Sequence, residues 1–356
     1  MIDGCAAACN NPRAPTSRGE RVEFGIFDHL DATGQPLDEY YADRLALISL
    51  FERSGFRSYH VAEHHATPLG MAPSPNLFLS AVAMRTETLR FGPLVFALPL
   101  YHPLRLVQEI CMLDQMSGGR LEIGFGRGAS AIEAAYFGND HAEAEPVYRE
   151  YLAIVLDGLA NGRLHHRGKY ASFDDAPLFV EPYQKPHPPL WYGVHATDSA
   201  ARAARLGSHI VSLDSAEETG AFARSYRTAW AEAHGADSAP GLVGLGLFVV
   251  VGGTDAEALA SARRAYPVWH RSFNYLFVRH DAPLPKHRRP PSFDEMAGQG
   301  RAIAGSPDTV AAFLAERMAV AGASYLVGQM AFGDLTREET TRSVELFARH
   351  VMPALV

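Results

Sequence analysis

The sequence predicts an α/β fold, a (β/α)8 barrel of the TIM type with insertions, built as a single domain. Three observations carry that prediction. The stretch Phe91–Gly128 reads as strand, helix and strand with short links, a βαβ crossover that implies a parallel sheet. Apolar runs of strand length alternate with helical patterns eight times along the chain, with no switch to a block of hairpins. Histidine, arginine and tyrosine side chains collect just after those apolar runs, which is where α/β barrels place their chemistry.

In order, Val22–Phe27 is the first strand and Asp38–Ser54 an amphipathic helix that Gly55 ends. Ser58–Ala62 is the second strand, running into Glu63-His64-His65, and Leu77–Met84 is the next helix. Phe91–Leu98 is the third strand, bounded by Gly92, Pro93 and Pro99. After Pro103, apolar Leu104, Val107, Ile110, Cys111 and Met116 recur at helical spacing, which predicts one buried stripe, and Ser117-Gly118-Gly119 stops that helix. Leu121–Phe125 is the fourth strand and feeds the glycine-spaced turn Gly124–Gly128; Pro146–Leu159 is helical. Gly162–Pro189 reads as an irregular excursion with a hairpin around Tyr170–Phe179. Strands at Leu190–Val194, His209–Leu213 and Val243–Val251 alternate with helices at Ser199–Leu206, Ala216–Ala233 and Asp255–Trp269. Ser324–Gln329 is the eighth strand, and Thr336–His350 closes the barrel. The proline-rich, charged stretch Arg279–Gly300 falls between the seventh and eighth strands and is read as a loop, a candidate mobile lid.

The chain has 356 residues, 47% hydrophobic and 20% charged, which describes a globular protein with a large core. A net charge of −8 gives no support to nucleic-acid binding or to adhesion on an anionic membrane, and no apolar run is long enough for a transmembrane helix. Residues 1–20 lack an apolar core of signal-peptide length and are read as a flexible tail, so residues 21–356 form the domain and the cytoplasm is the expected compartment. Cys5 and Cys9 lie in the tail and Cys111 on the buried stripe, a distribution that suggests neither zinc nor a disulfide framework.

The chemistry-bearing side chains expected at strand ends are Asp28, His29, Glu63, His64, His65, Tyr101, His102, Arg127, His195, Thr197, Ser199 and Gln329. Imidazoles on one face suit general acid–base work, because histidine changes charge near neutral pH. Adjacent Glu63, His64 and His65 alternate between faces and cannot all ligate one ion, so no metal is expected. Arg127 sits in a glycine turn where a guanidinium can grip an anion bidentately; a solvated surface arginine is the plain alternative. Thr197 and Ser199 open a helix and can either cap it or hold a phosphate there.

At these residues the chain resembles the bacterial luciferase-like flavin monooxygenases, from about Val22 to Pro353. The pieces are EHH at Glu63–His65, LPLYHPLRLVQEICMLDQMSGGRLEIGFGRG at Leu98–Gly128, FG-D at Phe137–Asp140, PPLWYG at Pro188–Gly193 and LFARHVMP at Leu346–Pro353. The resemblance implies a (β/α)8 barrel that binds reduced FMN supplied by a separate flavin reductase. It also implies that a peroxyflavin formed with O2 inserts one oxygen atom into an organic substrate, and that the protein is a homodimer. Carried over by position, His64 is the catalytic histidine and Arg127 the flavin-contacting arginine. His195, Ala196, Thr197 and Ser199 are the phosphate segment. Glu63 and Gly126 complete the implied cofactor site, and Leu94–Val95 is the place of a non-proline cis peptide under the flavin ring. Two positions depart from the family. Gly126 stands where the luciferase α-subunit has a reactive cysteine. Glu145 stands where the family commonly has a phosphate-binding arginine, with Arg149 one turn further on the same helix face. Three rival readings stay open: a deazaflavin-dependent hydride-transfer enzyme on the same barrel, a non-catalytic flavin-binding or partner subunit, and a metal hydrolase.

Overall fold

In the computed structural model, residues 22–128, 130–284 and 288–356 are described; the expected tail at 1–20 lies outside them. The strands are β1 (Glu23–Asp28), β2 (Ser58–Val61), β3 (Arg90–Pro93), β4 (Phe96–Ala97), β5 (Ile123–Gly126), β6 (Arg163–Arg167), β7 (Ser172–Pro177), β8 (Leu190–Gly193), β9 (His209–Ser212), β10 (Val243–Val251), β11 (Ala302–Gly305) and β12 (Tyr325–Gln329). The helices are α1 (Leu37–Arg53), α2 (Pro75–Arg85), α3 (Pro103–Ser117), α4 (Ala131–Tyr136), α5 (Ala144–Asn161), α6 (Thr197–Arg205), α7 (Ala216–His234), α8 (Asp255–Arg279), α9 (Phe293–Gly298), α10 (Pro307–Ala321) and α11 (Arg337–Leu346). Among the described residues no helix is long and apolar enough to cross a membrane.

The strand order β3-β2-β1-β12-β10-β9-β8-β5-β4 is parallel throughout and curls into a nearly closed barrel. β3 and β4 are the two halves of one stave, interrupted at Leu94–Val95, whose peptide bond is cis. The lower half meets the next stave through a bridge between Phe91 and Leu121, and the upper half pairs with β5. The expected (β/α)8 barrel is therefore present.

Packing explains why the staves sit where they do. β10 is buried along all of its length, as a parallel strand covered on both faces should be. The α3 stripe is Leu106, Val107, Ile110, Cys111 and Leu113, turned toward the sheet, whereas Met116 is exposed. Gly118 ends α3 in the left-handed conformation, as the sequence predicts. At Gly92 a side chain would collide with the Glu122 carbonyl, so the two neighbouring staves can approach this closely only through glycine.

The amino-terminal end of the barrel is plugged by a charged knot. Glu122 accepts hydrogen bonds from Arg57 (2.7 and 3.1 Å), Arg90 (2.6 Å), Ser58 (3.3 Å) and the Trp191 indole (2.8 Å). Burial alone would raise the Glu122 carboxyl, but the two guanidinium groups override it and hold the pKa well below the ordinary range. The buried His60 and the half-buried His209, beside the knot, are pushed down to about 4 by desolvation.

Several expectations need correcting. β11 and α10 fill the interval before the eighth strand that the sequence reading left unassigned. β11 is four residues of alanine, isoleucine and glycine, too short to register as a strand, yet it pairs with β10 from Phe248↔Ala302 to Val251↔Gly305. α10 begins at Ser306-Pro307 and ends at a left-handed Gly322, signals that were present in the sequence. α8 continues past Trp269 to Arg279 despite Pro267, because Ser272, Asn274 and Leu276 are buried against the fold. Within the expected loop 279–300, α9 forms a short helix whose Phe293 and Met296 are buried. The hairpin is β6 with β7, earlier than the sequence reading placed it.

Candidate functional site

The site lies at the carboxyl ends of the strands. Beyond β2 the chain turns through Glu63-His64-His65, and beyond β5 through Gly126-Arg127-Gly128. Glu63, His64, Arg127, Ser130, Glu133 and Ala144 line a common cleft. The glycine turn makes this proximity possible: a side chain at Gly126 would collide with Val95, next to the cis peptide. Leu94 and Val95 thus lie directly beneath the turn that carries Arg127.

Two carboxylates organise the histidines. Glu133 Oε1 is 3.2 Å from His64 Nδ1, and its Oε2 accepts from the His65 backbone N–H at 3.2 Å. A carboxylate can only accept, so Nδ1 of His64 carries the proton and Nε2 is directed away from Glu133. Glu63 is buried; its oxygens take the His65 ring at 2.8 Å and the Ala97 backbone N–H at 3.0 Å. The Tyr101 hydroxyl lies against the same carboxylate, and burial together with that contact raises its pKa well above the ordinary tyrosine value. His64 keeps a quarter of its side chain exposed, so it alone of this trio with Glu63 and His65 combines a fixed orientation with reach into the cleft.

Behind His64 stands His29, stacked on it with ring centroids 5.8 Å apart. Burial, helped by the neighbouring His64, holds its pKa well below the ordinary value, so His29 is neutral. Trp269 packs edge-on against His29, and its indole Nε1 has no hydrogen-bond partner among the described residues; neither does Gln329 Oε1 at the end of β12. Buried donors and acceptors left in this condition fit a polar ring system bound at the barrel mouth.

Arg127 is about half exposed, with Nη1 3.7 Å from Glu145 Oε2. His195 and Ala196 form the exposed link between β8 and α6, Thr197 and Ser199 lie in the first turn of α6, and β8 is the stave next to β5. His195 Nδ1 is 2.7 Å from Asp214 Oδ2. Ser199 Oγ donates to the Ala196 carbonyl at 2.7 Å, a local turn contact. His102 is away from the cleft, edge-on to Phe173 of the hairpin. Among the described residues no group of three or more His, Cys, Asp or Glu side chains could hold a metal ion.

Sequence reasoning missed Glu133, the group that fixes His64, and Asp214, the partner of His195. The signal for the start of the helix carrying Glu133 was present, though not for its contact with His64. Ser130 caps α4 by accepting from the Glu133 backbone N–H at 3.1 Å, and Ser-x-x-Glu is the spacing that announces such a helix start.

Comparison with known proteins agrees with this geometry. The family model described as "luciferase-like monooxygenase" matches residues 22–325. A Sinorhizobium fredii protein named uncharacterized protein y4wF is 40% identical over 315 residues, covering 88% of this chain and 92% of that one. The oxygenase component of the flavin-dependent trigonelline monooxygenase of Acinetobacter baylyi is 29% identical over 193 residues, 53% of each chain. Among solved structures, the monooxygenase RslO1 from Streptomyces bottropensis superposes with a TM-score of 0.83 at 25% identity, covering 94% of this chain and all of that one. The chain belongs to the luciferase-like monooxygenase family.

Proposed function

We propose that the protein is the oxygenase of a two-component system, taking reduced FMN from a separate reductase and using O2 to insert one oxygen atom into an organic substrate. The observation that carries this reading is the Glu133–His64 pair, set at the carboxyl end of the barrel in one cleft with Arg127. Reduced FMN, when bound, supplies the two electrons by which one oxygen atom enters the substrate and the other leaves as water. The chain's own groups do the rest. Arg127 presents a guanidinium to the flavin and its phosphate, with the His195–Ser199 segment completing the phosphate seat. Glu63 and Gly126, with Leu94–Val95, shape the floor of the cleft. Trp269 and Gln329 offer a donor and an acceptor to the ring edge. His64, its Nδ1 proton held by Glu133, uses Nε2 to take or return a proton at the reacting face. The lid expected at Arg279–Gly300 falls partly on residues 285–287, which lie outside the described residues, and it stays a proposal from the sequence pattern.

The partner copy is proposed to dock on the outer face of α2 and α3, where Leu77, Met84, Met112 and Met116 are exposed.

The direct test is anaerobic titration with reduced FMN, followed by rapid mixing with O2. Saturable binding, and reoxidation slower than that of free reduced FMN, is the expected result. Binding with reoxidation as fast as in free solution points to a flavin-carrying partner subunit. No binding, with uptake of a deazaflavin coenzyme instead, would overturn the monooxygenase reading in favour of hydride transfer.

A further inference from the structure

The cleft arginine already has an anion. Glu145 lies in the first turn of α5, and the residue before it, Ala144, shares the cleft wall with Arg127. One oxygen of its carboxylate is 3.7 Å from Arg127 Nη1, and the other accepts from Arg149 Nε at 2.8 Å. Arg149 is four residues on, one helical turn along the same face. All three side chains are more than a third exposed, at 51%, 39% and 68%, so no packing fixes them in this arrangement. The group carries a net single positive charge, where two unopposed arginines would carry two.

We propose that Glu145 competes with the flavin phosphate for Arg127 and Arg149, so that cofactor binding is an exchange of one anion for another. The inference rests on the flavin reading above. A phosphate dianion offers three acceptor oxygens and more charge than a carboxylate, so it can displace Glu145 from both guanidinium groups. The gain on binding is then only the difference between the two anions. Such a seat holds the phosphorylated cofactor loosely and lets it leave quickly, which suits a flavin that arrives reduced from another protein and departs oxidised. A flavin without a phosphate does not take part in the exchange and is indifferent to Glu145.

The test is titration of the wild-type protein and of Glu145→Gln, Glu145→Ala and Arg149→Gln with oxidised FMN and with riboflavin, followed by flavin fluorescence. Both Glu145 variants are expected to bind FMN about tenfold more tightly than wild type, the size expected from freeing two exposed ion pairs. Their riboflavin affinity should stay within about twofold of wild type. Arg149→Gln should weaken FMN and leave riboflavin unchanged. Unchanged or weaker FMN binding in the Glu145 variants, with riboflavin still bound, overturns the exchange and leaves the flavin site standing. Equal tightening of both flavins also overturns it, because the effect would then not concern the phosphate. If neither flavin binds any of the proteins, the flavin reading itself fails and the exchange falls with it.

Discussion

The smallest unit of the proposed site is one imidazole and the carboxylate behind it. Glu133 leaves His64 with one tautomer and one direction, so a change at Glu133 should reach the chemistry without touching bound ligand. Glu133→Gln is expected to lower the coupled rate by about one order of magnitude, and His64→Ala by about two to four, the usual worth of a positioned proton-transfer group. The measurement is substrate oxidation against hydrogen peroxide released per reduced FMN consumed. Reduced FMN affinity should change little in either variant. A His64→Ala protein that oxidises substrate at the wild-type rate would remove the imidazole from the mechanism. At the opposite end of the barrel, Arg57→Ala strips the buried Glu122 of one of its two guanidinium partners and should cost about 1–3 kcal/mol of stability, read as a lower midpoint in chemical denaturation. His64 and Arg127 were legible in the sequence because short motifs at strand ends mark them. Glu133 was not, since its meaning depends on where a six-residue helix lands after a glycine turn.

Among the elements, α4 matters out of proportion to its length. It holds Glu133 against His64 and depends on a single capping hydroxyl at Ser130. Ser130→Ala should therefore loosen α4 by about 1 kcal/mol. Global stability should barely move, while peroxide leakage should rise toward that of Glu133→Gln. Unchanged coupling in Ser130→Ala would mean that the cleft wall, not the cap, positions Glu133. The elements that the sequence showed best are the long ones with a strong period, α3 and the all-apolar β10. Those it hid are short or interrupted: β11 with its alanines, and α8, where buried residues beyond Pro267 outweigh the lost hydrogen bond. Local pattern gives no access to such cases, because partners distant in sequence decide them.

For the whole molecule, acid stability follows from buried groups of opposite sign. His60 and His209 titrate near 4 in the fold, and His29 also lies well below 6.5, so the unfolded chain binds more protons than the native one as pH falls from about 6.5 toward 4. Each depressed histidine thus contributes stability that is full above its unfolded pKa and is lost through that window. Asp31 acts the other way. Burial raises it to about 7, so its contribution is greatest below its unfolded pKa and fades as pH rises toward 7. Three histidines outweigh one aspartate, and melting temperature should fall steadily from pH 6.5 to 4. Asp31→Asn should steepen that fall. A flat profile would contradict the burial of the histidines. The proposed homodimer is tested at the same scale: Met84→Glu with Met112→Glu on the outer α2–α3 face should convert it into a monomer in sedimentation experiments, and a wild type that sediments as a monomer would remove that interface.

The barrel has two poles that share strands but not side chains. The Arg57–Arg90–Glu122 knot closes one, and the His64 cleft opens at the other. Natural drift or a laboratory library can therefore rewrite the cleft rim and change what is oxidised while the knot keeps the staves in register. Tolerance of new chemistry at one pole is underwritten by intolerance of change at the other, and a mutational scan of the chain should divide along the barrel axis in that way.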